Sequence, residues 1–300
     1  MLRRSCIAFA LTAAGFVAVA HAADPTLDTS AIESVTGLKG SYNESEKVFK
    51  VSKPRTDVKV TVDRRAMPPF MGLTSWAAFT PMKGGVMLMG DTVLFEDEVN
   101  PAMSAALDAG LEVTALHNHF FFDQPKVYFM HIGGMGDARK LASGVKAVYD
   151  RVAQVRAAQP APATSFPADI AESSSITPGP IQAVFGTKVQ TDNGMAKVVI
   201  GRTAQMHGKT VGNEMGVNTW AAFAGSDEQA VVDGDFAMRE DELQTVLKTL
   251  RGAGIHIVAI HQHMTHEKPR LLFLHYWGKG KAVDLAMSVK KALNAQRAVK

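Results

Sequence analysis

Met71-Gly72-Leu73-Thr74-Ser75-Trp76-Ala77-Ala78-Phe79 returns 144 residues later as Met215-Gly216-Val217-Asn218-Thr219-Trp220-Ala221-Ala222-Phe223. The same offset carries Gly90-Asp91 onto Gly234-Asp235 and Glu96-Asp97-Glu98 onto Glu240-Asp241-Glu242. It carries Ala115-Leu116-His117-Asn118-His119 onto Ala259-Ile260-His261-Gln262-His263, and Phe129-Met130-His131 onto Phe273-Leu274-His275. A gapless repeat of this length means one folding unit used twice. Upstream, the copies match loosely, as in Ile32-x-x-Val35-x-Gly37 beside Ile181-x-x-Val184-x-Gly186, and strands with variable turns are expected there.

Within a copy, Thr74 to Thr80, Val86 to Leu94, Leu111 to His119 and Lys126 to His131 read as strands. Residues 96–109 read as a helix, with acids in the first turn, apolar residues at Val99, Met103, Ala106 and Leu107, and Gly110 as stop. A closing helix runs from about Asp137 to Ala157, and the Gly133-Gly134-Met135-Gly136 and Gly278-Lys279-Gly280 segments read as turns before helices. The expected fold is α+β: a tandem duplicated two-layer domain, with an antiparallel sheet and helices packed on one face. The boundaries are 23–158 for the first domain, 159–180 for a Pro/Ser-rich linker and 181–300 for the second.

Residues 1–22 read as a signal peptide: Arg3 and Arg4, an apolar stretch from Ile7 to Val19, then Ala20-His21-Ala22. The apolar run is shorter than the roughly 20 residues that span a bilayer, so no membrane span is expected after cleavage, and the location is periplasmic or secreted. The single cysteine, Cys6, precedes the apolar stretch, so the mature chain has neither disulfide nor thiol nucleophile. With 32 basic against 29 acidic residues, the charge balance offers no footprint for nucleic acid.

Six of the ten histidines fill three equivalent positions in pairs. Alternation puts Leu111, Val113, Ala115, His117 and His119 on one strand face, and Val127, Phe129 and His131 on a matching face of the next. Two imidazoles from one strand and one from its neighbour are a ligand set for zinc, copper or iron with an open position for water or substrate. The candidate metal residues are therefore His117, His119, His131, His261, His263 and His275. A symmetric hairpin about Phe122-Asp123 would set His131 near Thr114, about 10 Å along the strand from His117 and too far for one ion. A longer, asymmetric turn, or convergence of the two copies, removes that obstacle. Glu98 and Glu242, in the first helical turn, are candidates for acid-base work or for favouring the helix dipole; Asp123 and Glu267, four residues past the second histidine, are further candidate ligands. Trp76 and Trp220 read as core. The methionines, Met67 and Met71 among them, invite a thioether copper reading, but irregular spacing assigns no set.

The segments Glu96-Asp97-Glu98-Val99-Asn100-Pro101, Glu112-Val113-Thr114-Ala115-Leu116-His117-Asn118-His119 and Lys126-Val127-Tyr128-Phe129-Met130-His131 resemble the LppY/LpqO-type family, exported bacterial proteins built on a domain of unknown function. The resemblance implies export and repeat architecture and no particular activity. Two functions follow: a periplasmic protein with a metal or small-ligand site in each copy, or a non-enzymatic envelope interaction module whose histidines are structural. The partner is then a small ligand or an envelope component.

Overall fold

The computed structural model describes residues 27–299; the signal-peptide reading lies outside them. The first repeat runs α1 (Thr29–Thr36), β1 (Gly40–Asn43), β2 (Val48–Pro54), β3 (Thr74–Met82), β4 (Gly85–Phe95), α2 (Glu96–Asp108), β5 (Glu112–Asn118), β6 (Val127–Gly136) and α3 (Ala138–Ala158). The second runs α4 (Pro178–Phe185), β7 (Gln190–Asp192), β8 (Met195–Gly201), β9 (Asn218–Gly225), β10 (Ala230–Arg239), α5 (Leu243–Gly252), β11 (His256–His261), β12 (Leu271–Gly280) and α6 (Ala282–Arg297). Each repeat therefore opens on a helix where strands were expected. Gly37 (φ 70°) and Gly186 (φ 68°) end those helices in the left-handed conformation that glycine takes without a Cβ clash.

These twelve strands form a single antiparallel sheet in the order β1-β2-β3-β4-β6-β5-β11-β12-β10-β9-β8-β7, so the repeats meet edge to edge about a pseudo-twofold axis; five shorter strands form two small separate sheets. Buried side chains from all six helices enter one core on one sheet face, with Met103, Leu107, Val145, Val246, Leu250 and Val289 among them. On the opposite, open face each repeat folds a short hairpin segment over a small second core. Val60, Leu73, Val93, Val127 and Phe129 build it in the first repeat; Ala204, Val217, Ala237, Leu271 and Phe273, their equivalents at the repeat offset, build it in the second. Among the described residues no helix is long and apolar enough to cross a membrane.

The central seam is narrow. Only Leu116 and Ile260 pair between β5 and β11, and side-chain amides complete the junction. Asn100 of α2 donates to the Ile257 carbonyl (3.2 Å) and accepts from the Ile257 N–H (2.7 Å). Its repeat equivalent, Gln244 of α5, does the same to Val113, at 2.9 and 3.0 Å. Each amide thus acts as a one-residue strand for the other repeat. Asn100→Leu removes both bonds and leaves a buried N–H and C=O unpaired, and is expected to cost about 1–3 kcal/mol, read as a lower urea midpoint.

These clamps sit at β-bulges, and the bulges correct the expected strand faces. Val113 pairs with Ile132 and Ala115 with His131, so Thr114 is an extra residue; Val258 is the same in the second repeat. Val113 and Leu116 therefore enter the helix-side core, while Ala115 and His117 turn to the open face. The Gly133–Gly136 and Gly278–Gly280 segments are not turns. They extend β6 and β12, because glycine lets neighbours close in: a Cβ at Gly134 would stand 3.0 Å from Leu141 Cδ2, and one at Gly278 2.7 Å from Ile255 Cδ1.

Candidate functional site

Cross-strand partners in an antiparallel sheet share a face, and register alone assembles the site. Trp76 on β3 lies opposite Asp91 on β4, Asp91 opposite His131 on β6, and His131 opposite Ala115 on β5. His117, two residues past Ala115, faces Phe129. The pairing of β9, β10, β12 and β11 repeats this with Trp220, Asp235, His275, Ala259, His261 and Phe273. Because His131 pairs with Ala115 rather than Thr114, it stands diagonally beside His117, and their Nε2 atoms are 3.2 Å apart. The obstacle raised by a symmetric hairpin is removed by the bulge.

The second repeat brings four groups together. His263 Nε2 lies 3.2 Å from His261 Nε2 and 3.0 Å from Asp235 Oδ2. His275 Nδ1 is 4.0 Å from Asp235 Oδ1, and its ring stacks on His261 at 4.4 Å between centroids. One ligand atom from each of Asp235, His261 and His263 falls within 4.8 Å of the others. In the first repeat His131 Nε2 is 4.0 Å from Asp91 Oδ1, and His119 is farther out, its ring 6.3 Å from that of His117 and packed on Phe129 and Phe120.

Tautomers follow from the outer partners, since a carbonyl only accepts. His263 donates through Nδ1 to the Gly216 carbonyl (3.1 Å), and His117 through Nδ1 to the Asn118 carbonyl (2.9 Å). A neutral ring protonated at Nδ1 carries its lone pair on Nε2, the atom that faces the cluster. Around His263, that lone pair, the His261 Nε2 at 3.2 Å and the Asp235 carboxylate oxygen at 3.0 Å share one space. Asp91 Oδ1, Asp235 Oδ1 and His261 Nδ1 are buried without a hydrogen-bond partner. Burial pushes the Asp91 and Asp235 carboxyls above their ordinary range, against the opposing pull of the histidines. Burial, then the neighbouring His275 and His263, hold His261 down at about 4, a neutral imidazole at pH 7.

Asp91 and Asp235 join the histidines as members that the histidine spacing alone does not point to. The signal was the matched Gly90-Asp91 and Gly234-Asp235, for aspartate is depleted in strands and here recurs mid-strand. The preceding glycine has its own cause: a Cβ on Gly234 would collide with the Tyr276 hydroxyl and the Trp220 carbonyl, which hydrogen-bond to each other at 2.8 Å. Gly234→Ala is expected to cost about 1–3 kcal/mol by overpacking, seen in a thermal melt.

The carboxylates proposed from sequence stand elsewhere. Glu98, fully buried, accepts from Arg55 (2.7 and 3.0 Å) and from the Phe95 N–H (2.9 Å), and pairs with Arg156. Glu242 likewise accepts from Arg202 (2.6 and 3.2 Å) and the Arg239 N–H. Asp123 accepts from the Val127 N–H (2.6 Å) and Glu267 from that of Leu271 (3.0 Å), each fixing the loop behind the second histidine. Trp76 and Trp220 are half-buried on the histidine face rather than in the core, under Lys50 and Lys197 at 4.3 and 4.2 Å.

The family model described as Domain of Unknown Function (DUF1259) matches residues 30–151 and again residues 179–295. No curated protein matches the chain. Among solved structures, the trimeric bacterial microcompartment shell protein PduB is 10% identical over 85% of this chain and 89% of its own, with a TM-score of 0.22. The double-ringed trimeric shell protein MSM0271 from the RMM microcompartment is 10% identical over 84% and 95%, with a TM-score of 0.20. At these TM-scores neither likeness bears on function.

Proposed function

Because this chain belongs to the family of the Domain of Unknown Function (DUF1259) and carries that domain twice, we propose that it is an exported, periplasmic protein whose repeats each hold one transition-metal ion. Asp91, His117, His119 and His131 are the ligands in the first repeat; Asp235, His261, His263 and His275 are those in the second. The carrying observation is the spacing around His263, 3.2 Å to a second Nε2 and 3.0 Å to a carboxylate oxygen. Metal bonds of about 2.0–2.2 Å to nitrogen and oxygen set neighbouring ligand atoms about 3.3–3.6 Å apart in a tetrahedral shell, slightly wider than these spacings, so a bound ion spreads the ligands by a few tenths of an ångström. The Nδ1–H to carbonyl bonds of His263 and His117 are the outer supports that fix a metal-binding imidazole. The nitrogen-rich, thiol-free donor set suits zinc, copper or iron.

His131 and His275 remain 36% and 45% exposed, so solvent reaches the cluster from one side. An ion held by these residues would have room for a water or a small ligand as a further donor and would supply Lewis-acid chemistry to it. Export rests on the leader-like residues 1–22 and on the resemblance to LppY/LpqO-type proteins. Elemental analysis of protein purified without added metal, and again after reconstitution with zinc, copper and iron, is expected to give up to two ions per chain. No bound ion after reconstitution would overturn this reading in favour of an envelope interaction module with structural histidines.

A further inference from the structure

The open face of the first repeat continues past the histidines into methionine. Along β4, Met87, Met89 and Asp91 share that face, and along β6 so do His131, Gly133 and Met135. Register sets Met87 directly opposite Met135 and Met89 opposite Gly133, so Met89 and Met135 are diagonal neighbours over a residue without a side chain. Met82 ends β3 on the same face, diagonal to Met87, whose partner there is Thr80. Direct partners have Cβ atoms about 4.5–5.5 Å apart and diagonal ones about 7–8 Å, within reach of the three rotatable bonds of methionine. Met87, Met89 and Met135 are 38%, 59% and 70% exposed. Methionines made neighbours by register in this way, and this exposed, contribute little to a core.

The second repeat shows what the same positions look like without this feature. Their equivalents are Val231, Asp233 and Lys279, and Val231 pairs with Lys279 as Met87 does with Met135. Lys279 donates to the Phe166, Pro167 and Ala168 carbonyls, so the linker lies over that surface. At these positions the first repeat is exposed and lined with thioethers, and the second carries a valine, an aspartate and a lysine instead.

We propose that Met87, Met89 and Met135, with Met82 at the rim, form a binding site for monovalent copper beside the first histidine cluster. Thioethers are soft donors that select copper(I) over zinc and other harder ions. Neighbouring Asp91 and His131 belong to the other donor class, so two sites of different preference adjoin on one surface. The methionine site does not require the histidine centre to be loaded.

The test is anaerobic titration of zinc-preloaded protein with copper(I) against a chromogenic chelator, together with copper K-edge absorption. The comparison is with the combined Met87→Leu, Met89→Leu, Met135→Leu variant, which keeps apolar volume at exposed positions. The wild-type protein is expected to withdraw one more equivalent of copper(I) than the variant and to show sulfur scatterers that the variant lacks. Zinc content should be equal in the two. A His117→Ala, His261→Ala protein is expected to keep the sulfur-bound equivalent, which separates this site from the histidine centres. Equal copper(I) uptake by wild type and methionine variant, or a spectrum with only nitrogen and oxygen neighbours, overturns the proposal.

Discussion

His261→Ala combined with Asp235→Asn is expected to empty the second repeat of metal while the first stays loaded, so that the bound ion count falls from two to one. His263 Nε2 lies within 3.2 Å of both groups removed. Losing an outer partner of a metal site already costs about 10–100-fold in affinity, and two direct ligands cost more. The matched His117→Ala, Asp91→Asn pair should do the same to the first repeat, and all four changes together should leave metal-free protein. Asp91, His117 and His261 are partly exposed and Asp235 is buried, all on the open face outside the helix-side core, so the thermal melt of the apo protein is the control for folding. Equal metal content in wild type and quadruple variant would sink the assignment.

Glu98→Ala is expected to be the most destabilising single change. Its two oxygens answer Arg55 and Arg156 and cap α2 at Phe95, with no solvent contact. Arg156 also pairs with Asp97, and Arg55 with Asp57 at 2.9 Å, while the Arg55 guanidinium lies 4.5 Å over the Phe95 ring. Removing the central carboxylate strands two guanidinium groups in the protein, and breaking a buried pair in this way costs about 3–5 kcal/mol. For a chain of this size that is a fall in Tm of roughly 5–9 °C. Metal content below the transition should not change, since these partners are arginines and a helix terminus. A loss of metal without loss of stability would return Glu98 to the site.

The corresponding network in the second repeat sets an acid response. Burial raises the Glu242 carboxyl, but Arg202, the Arg239 N–H and Gln296 outweigh it and hold the group below its ordinary value of 4.5. A carboxylate held low when folded stabilises the fold above its unfolded pKa. That contribution fades as pH falls from about 4.5 through the folded value. Denaturation midpoints of wild type and Glu242→Gln are therefore expected to converge as the solution is acidified.

Much of this was legible along the chain. The repeat offset, the stripe Val99, Met103, Ala106 and Leu107, and the three paired histidine positions are local or self-similar features, and the strands and helix between Thr74 and Asn118 form where their periodicity puts them. Local pattern also misled. Ile32-x-x-Val35-x-Gly37 looked like strand and is helix, because its Ile packs onto a core made by distant segments. The glycine runs looked like turns and are strand, because their missing side chains make room for Leu141 and Ile255.

The sequence by itself determined that one unit occurs twice and that each copy carries three histidines in register. Only the tertiary structure decided where those histidines point. The extra residue at Thr114 and Val258 reverses strand parity, and the backbone beside it is held by amides from the other repeat, Gln244 on Val113 and Asn100 on Ile257. Parity along a strand is a local rule, whereas a bulge is stable only where a partner from elsewhere satisfies its backbone groups. The same long-range pairing recruited Asp91, Asp235 and the methionine face, whose members lie far apart in the chain and adjacent across the sheet.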